Sequence, residues 1–332
     1  MRRDIGIYGR KQTQNLSNLP TFLFTLFICL CCWAVTYYFS GDGGGQIVPA
    51  TLLWDRISGF WPDKSSTYAI GAFLLCCMAA SLQRANYFLI IIRGKSKLPF
   101  LLFLLLNTTT FGFIPLRPVS VAFFFLILCL YELFRAYQDR MEPGRAYKAM
   151  IYLGIGSLIW VHLLWFIPLF WYGMFQFRLL NFRSFTASVL GIITTYWILL
   201  GWCVWKHDFS MLSVSFQNLT AFTPVSLTDL VNFRQLVNPL AALLMIVTLS
   251  VYLRLHEFNV GLRTRQFVSF LLTCGKYVIP FLFLFKPDCV NFLCVFYIPV
   301  SLLASYLFFN ASGKHVILCY YLIMVFTIIL WG

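Results

Sequence analysis

Charged side chains are scarce in this chain, and acidic side chains are the scarcest. Only 11% of the 332 residues are charged, with 25 lysines and arginines against 11 aspartates and glutamates. A soluble domain carries about 25% charged residues, and no polar stretch here is long enough to bury a core of its own. The composition therefore excludes an ordinary soluble enzyme.

The common motifs of soluble catalysis are also missing. The sequence contains no Gly-x-x-x-x-Gly-Lys-[Ser/Thr] phosphate loop, no His-Glu-x-x-His zinc motif and no Gly-x-Ser-x-Gly nucleophile motif. Nearly all of the 11 cysteines lie in apolar runs, where a thiol acts as a small hydrophobic group. Pairs such as Cys31-Cys32 lack metal-ligand spacing. We therefore predict no metal site, and the pattern points to no particular cofactor.

Long apolar runs dominate what is present. Hydrophobic residues make up 60% of the chain, and the mean hydropathy is +0.80. A helix of about 20 apolar residues crosses a bilayer. The sequence predicts an all-α, polytopic fold in a single transmembrane domain over 1–332, with about ten or eleven hydrophobic segments. The predicted segments are 19–40, 67–92, 98–115, 119–137, 149–163, 164–180, 184–205, 236–253, 267–285, 291–309 and 315–332.

Basic residues give the chain a net charge of +14, but they stand singly or in pairs at the ends of apolar runs. This is the positive-inside pattern of membrane proteins and not a nucleic-acid stripe, so we predict membrane lipids as partners and no nucleic acid. Arg2, Arg3, Arg10 and Lys11 precede the first run. That run is longer than a signal-peptide core and lacks a clear cleavage site, which predicts an uncleaved span with a cytoplasmic N-terminus.

The segment 149–180 is too long for one comfortable crossing and too short for two. Basic residues precede it and follow it, and a tight hairpin keeps both groups on the cytoplasmic side. We predict a short or re-entrant helical pair at 149–180. Irregular backbone at membrane depth must be covered by protein or line a water-filled cavity, so this segment is a candidate functional element.

Two loops are longer than a turn, and both are predicted on the outer side. Loop 41–66 starts with a Gly-rich hinge, and its part from Ile47 to Trp61 reads as an amphipathic helix at the membrane interface. Loop 206–235 is the second, with another predicted interfacial helix or lid.

Asp42, Asp55 and Asp63 lie in the first outer loop and are candidate catalytic residues. A carboxylate can activate an acceptor or hold a divalent cation. The alternative is that each is a turn residue in a solvated loop.

Three further residues are candidate ligand-binding groups. Lys276 lies near the middle of a predicted span, where a cation is a candidate for binding a head group or phosphate; the alternatives are a snorkelling lysine and a true span shorter than the predicted one. Arg183 is a second candidate for holding phosphate. His162 lies in the predicted helical pair between Trp160 and Trp165, either as a ligand or as a hydrogen-bonded packing residue.

Several local features recur together between residue 86 and about residue 200. Asn86 precedes a basic loop, Ile114-Pro115 ends a span, GIGSLIW lies in the helical pair, and LNFRSF leads into a Gly-Ile-Ile-Thr span. In these features the chain resembles an uncharacterised family of multi-pass inner-membrane proteins from Bacteroidota. The resemblance implies a bacterial inner (cytoplasmic) membrane and supplies no site.

The chain is also similar to polyprenyl-phosphate-dependent membrane glycosyltransferases. The shared features are a first span, an acidic outer loop with an interfacial helix, and a Gly-rich short-helix pair. It departs from them in lacking a clear paired-acid motif in the first outer loop.

Three functions are consistent with these sequence features. The sequence does not decide whether the chain is an enzyme. The favoured one is a protein of cell-envelope biogenesis or assembly, with other envelope membrane proteins or polyprenyl-linked lipids as partners. The second is a lipid-linked glycan transferase, with one of the three aspartates as its acid and Lys276 or Arg183 on phosphate. The third is a small-molecule or lipid transporter built on the broken segment and Lys276, although no inverted repeat is visible.

Overall fold

A computed structural model gives the architecture of most predicted segments. The described residues are 19–39, 54, 63–89, 96–108, 116–137, 143–207, 216–217, 219, 242–251, 261–285 and 288–310. Most of both predicted outer loops and the predicted last span, 315–332, lie outside the described residues.

The described residues are almost entirely helical, which confirms the all-α fold. The α-helices are α1 (Leu19–Phe39), α2 (Lys64–Leu89), α3 (Leu98–Thr108), α4 (Pro118–Ala136), α5 (Pro143–Ile159), α6 (Ile167–Gln176), α7 (Phe182–Lys206), α8 (Ala242–Val251), α9 (Leu262–Leu284) and α10 (Cys289–Asn310). Within the described part of the chain, 6 helices are long and apolar enough to cross a membrane, namely α1, α2, α4, α7, α9 and α10. The prediction of a polytopic membrane protein is therefore confirmed.

The chain divides into two compact units. The first unit comprises Met1–Gly44, Leu75–Pro115 and Pro224–Gly332, and the second unit comprises Gly45–Leu74 and Leu116–Thr223.

The first unit is organised around α10. Every residue from 291 to 306 in this helix is buried, and α10 packs against α9 and α3. A helix that is apolar on all sides belongs inside a bundle. At its edge, α1 packs on α3, where Trp33 Nε1 donates a hydrogen bond to Thr108 Oγ1 at 3.2 Å.

The second unit is built on α5, which packs against both α4 and α7. The contact with α7 is close because glycines lie in it. A Cβ on Gly191 would be 2.7 Å from the carbonyl oxygen of Tyr147, and one on Gly154 would be 2.7 Å from Thr195 Oγ1. Small residues allow two membrane helices to approach closely.

The helical pair predicted at 149–180 is present, but it begins earlier, at Pro143. Helix α5 ends at Ile159 because Trp160 adopts an extended backbone, with φ −137 and ψ 102. A 3₁₀ helix over Val161–Phe166 follows and leads into α6. Pro168 lies in the first turn of α6, where a missing N–H does no harm.

The helical pair α5 and α6 starts beside one end of α4, runs along it to the other end, and comes back to the end where it started. Trp160, at the break, packs edge-on against Phe123 with ring centroids 5.6 Å apart. Phe177, just after α6, packs against Phe134 at 5.9 Å. Phe123 and Phe134 are about 16 Å apart along α4 at 1.5 Å per residue. The segment therefore rises along α4, breaks at Trp160 and comes back, as a hairpin does.

Candidate functional site

The second unit contains a cavity of about 160 Å³. Its walls come from the end of α4, the start of α5, the end of α6 and the start of α7. It therefore lies where the hairpin returns. Met150, Phe170 and Met174 form part of an apolar wall, and four polar residues complete the lining: Arg145, Asn181, Arg183 and Ser184.

The start of α7 supplies three of these polar residues. Asn181 is the N-cap, and it forms a capping box with Ser184, whose Oγ accepts the backbone N–H of Asn181 at 2.9 Å. The cap fixes the first turn of the helix, and Arg183 lies exposed within that turn. The positive end of the helix dipole adds to the charge of Arg183 at this point.

Arg145 comes from the first turns of α5. Its Nη1 lies 3.5 Å from Glu132 Oε2, and the two side chains are 15% and 13% exposed. Pairing with α4 holds the guanidinium at the cavity wall. The fork of an arginine can contact the oxygens of a phosphate or carboxylate group in pairs.

Positive charge predominates around the cavity. Among the described residues of 132–184, Glu132 is the acidic residue, and the basic residues are Arg135, Arg145, Lys148, Arg178 and Arg183. The described lining residues include no carboxylate, imidazole or thiol. The arrangement can bind an anion that carries an apolar part, and the one hydroxyl in this lining, Ser184 Oγ, is engaged in the cap of α7.

Of the three aspartates predicted as catalytic residues, Asp63 is among the described residues. Asp63 is exposed just before α2, and its backbone carbonyl accepts the N–H of Thr67 at 3.1 Å. Asp42 and Asp55 lie outside the described residues. Their catalytic role stays a prediction.

His162 is buried inside the 3₁₀ helix. Its ring centroid is 5.5 Å from that of Trp160, so it packs within the break of the hairpin. In the described part of the chain, no group of three or more His, Cys, Asp or Glu residues is placed to hold a metal ion. A ligand role for His162 stays a prediction.

Two of the predicted phosphate-binding residues lie in different units. Arg183 lines the cavity of the second unit, whereas Lys276 is an exposed residue of α9 in the first unit. Arg145, Asn181 and Ser184 were not predicted as site residues. An Asn such as Asn181 directly before an apolar run is an N-cap signal, and it would have placed a helix start beside Arg183.

In comparisons with known proteins, no family model, no curated protein and no solved structure matches the chain. The similarities to a Bacteroidota family and to membrane glycosyltransferases therefore remain sequence-based expectations, and the functional argument depends on the site alone.

Proposed function

We propose that this protein is a non-enzymatic, multi-pass component of cell-envelope assembly in a bacterial inner membrane, and that it binds the phosphate of an anionic membrane lipid in the cavity of the second unit. One observation carries the proposal: Arg145 and Arg183, from two helices, line the same cavity beside an apolar wall.

The size and chemistry of the cavity favour a phosphate group. A cavity of about 160 Å³ has room for a phosphate and the first atoms attached to it. Arginine forks and a helix N-terminus are both suited to phosphate oxygens. The apolar wall formed by Met150 and Phe170 suits the hydrocarbon of a lipid.

The position also suits a lipid head group. The cavity lies where α4 ends and α7 begins, so at one end of two candidate spans. The surrounding excess of basic residues is typical of a cytoplasmic membrane surface, where anionic lipids attract such residues. Phospholipids and polyprenyl phosphates share this phosphate chemistry, and they differ in the chain attached to it.

Native mass spectrometry of the full-length protein tests the proposal. We expect bound phosphatidylglycerol or polyprenyl phosphate, and much less bound phosphatidylcholine. Arg183→Gln should weaken binding of the preferred lipid by about tenfold or more, since a hydrogen bond to a charged group contributes about 1.5–3 kcal/mol. Comparison of the two anionic lipids shows which chain is preferred.

Arg135→Gln is the matched control. Arg135 is exposed at the same end of the second unit but does not line the cavity. We expect binding to change by less than about twofold, because Arg135 lies outside the cavity lining and donates no hydrogen bond to the phosphate there. Equal losses in the two variants would mean that general surface charge binds the lipid, and an unchanged Arg183→Gln protein would refute the proposal.

A further inference from the structure

Helix α9 exposes a polar face at a depth where lipid-facing helices are apolar. Ser269, Lys276 and Pro280 are exposed, and Thr273, between them, is half-buried. The spacing of four, three and four residues places all of them on one side of the helix. We call this surface the Lys276 face.

A comparison within the same protein shows that this face is unusual. The exposed side of α7 at mid-helix consists of Ile193, Trp197 and Ile198, as expected for contact with lipid. The opposite side of α9 is also apolar, since Phe270 and Leu271 are fully buried in the first unit. The Lys276 face therefore presents the ammonium of Lys276 and the hydroxyls of Ser269 and Thr273 where either lipid or a packed core would favour hydrocarbon.

Lys276 lies close to the middle of the predicted membrane span. It is about 16 Å along the helix axis from Arg265 and about 12 Å from Leu284, where α9 ends. Half of the hydrocarbon core is about 15 Å thick. A lysine side chain extends about 6 Å, so snorkelling does not carry its ammonium to either head-group layer.

The described helices offer no carboxylate for Lys276. Among the described candidate spans, Glu132 is the acidic residue. It is already paired with Arg145 in the second unit. A second copy docked through the same face would bring two lysines together, and like charges repel in a medium of low dielectric. Lipid phosphates lie in the head-group layer, out of reach.

We propose that the Lys276 face docks a transmembrane helix of another membrane protein, and that this helix carries a carboxylate at the depth of Lys276. Ionisable side chains inside a membrane pair with one another. Ser269 and Thr273 form a small-x-x-x-small pair on the same face, which lets a second helix approach closely. The proposal stands on the first unit alone, so it does not depend on the lipid cavity of the second unit.

A designed transmembrane peptide is the probe. The full-length protein, labelled at its N-terminal amine, is placed in phosphatidylcholine vesicles with a labelled leucine-alanine helix of about 21 residues. The central residue of the peptide is Asp, Leu or Lys, and energy transfer reports association. We expect the Asp peptide to associate about tenfold more strongly than the Leu peptide with the natural protein.

Two substitutions of Lys276 test whether its positive charge causes the preference for the Asp peptide. Lys276→Met keeps the length of the side chain and should abolish the preference for the Asp peptide. Lys276→Asp should reverse it, so that the Lys peptide becomes the preferred one. Arg265→Gln, at the end of α9, is the matched control and should leave the preference intact.

A depth series completes the test. Moving the Asp of the peptide by two turns toward either end should remove its advantage, since the two charges then no longer meet. The proposal is overturned if the natural protein binds the Asp and Leu peptides equally, or if Lys276→Met retains the preference. If Lys276→Met is poorly folded, the test is the result for Lys276→Asp. A Lys276→Asp protein that does not prefer the Lys peptide counts against the proposal.

Discussion

Replacing Gly191 with alanine tests the close packing of α5 against α7 in the second unit. The added Cβ would be 2.7 Å from the carbonyl oxygen of Tyr147 and 3.0 Å from Met150 Cβ, whereas ordinary contacts begin at 3.4 Å. The nearest atom belongs to the backbone, so no rotamer change can relieve the clash. The two helices must separate by about 0.7 Å or bend.

The expected loss follows from two opposing contributions. Overpacking of this kind costs about 1–3 kcal/mol, and a gap of 0.5–1 Å loses a quarter to a half of the dispersion energy of the atoms around it. Alanine gains up to about 1 kcal/mol over glycine in helix propensity. The net expectation for Gly191→Ala is a free energy of unfolding lower by up to about 2 kcal/mol.

Gly201→Ala is the matched control, because Gly201 lies on the same helix and a Cβ there would meet nothing within 4 Å. Gly201→Ala should gain the helix propensity of alanine without a steric clash. Scanning fluorimetry in detergent should therefore place the Tm of Gly191→Ala below that of Gly201→Ala by several degrees, at about 2–4 °C per kcal/mol. Equal Tm values, or a higher Tm for Gly191→Ala, would refute the close packing.

Three further predictions concern the second unit. In a variant whose natural cysteines are replaced by serine, single cysteines placed at Gly144 and at Arg178 should react with an impermeant maleimide from the same side of the membrane, because the hairpin returns to its starting end; labelling from opposite sides would contradict the hairpin. Glu132→Gln should strengthen binding of the anionic lipid by about two- to fivefold in native mass spectrometry, since the amide oxygen can still accept from Arg145 and position it while the negative charge that competes for this arginine is removed; weaker binding would contradict this prediction. Tyr196→Phe should lower the free energy of unfolding by about 0.6 kcal/mol, because its hydroxyl lies 2.9 Å from Ser157 Oγ, and a double-mutant cycle with Ser157→Ala should give a coupling energy of that size.

The sequence predicts the helices well for a physical reason. A bilayer requires about 20 apolar residues in each crossing, and such runs cannot be mistaken for loops. The hairpin was predictable as well, since the length of 149–180 and the basic residues on both sides of it allow few arrangements. Its starting point was not, because Pro143 and Gly144 look like part of a polar loop.

The candidate site was harder to predict. Arg145 and Arg183 are far apart in the chain, and only the return of the hairpin places both at one cavity. The side of α9 that is exposed, and with it the direction in which Lys276 faces, could not be predicted for a different reason. In a membrane, lipid and protein core are both apolar, so the hydrophobic period that marks the buried face of a soluble helix is weak in a helix such as α9.

The return of the hairpin to its starting end also has a consequence for the way the protein enters the membrane. Because the hairpin begins and ends at the same end of α4, its flanking arginines stay at that end, and we expect α5 and α6 to insert as a loop from one side. Helix α4 delivers the chain to that side, and α7 departs from it. A change that turned the hairpin into a single crossing would invert every segment that follows, including the helix that carries Lys276.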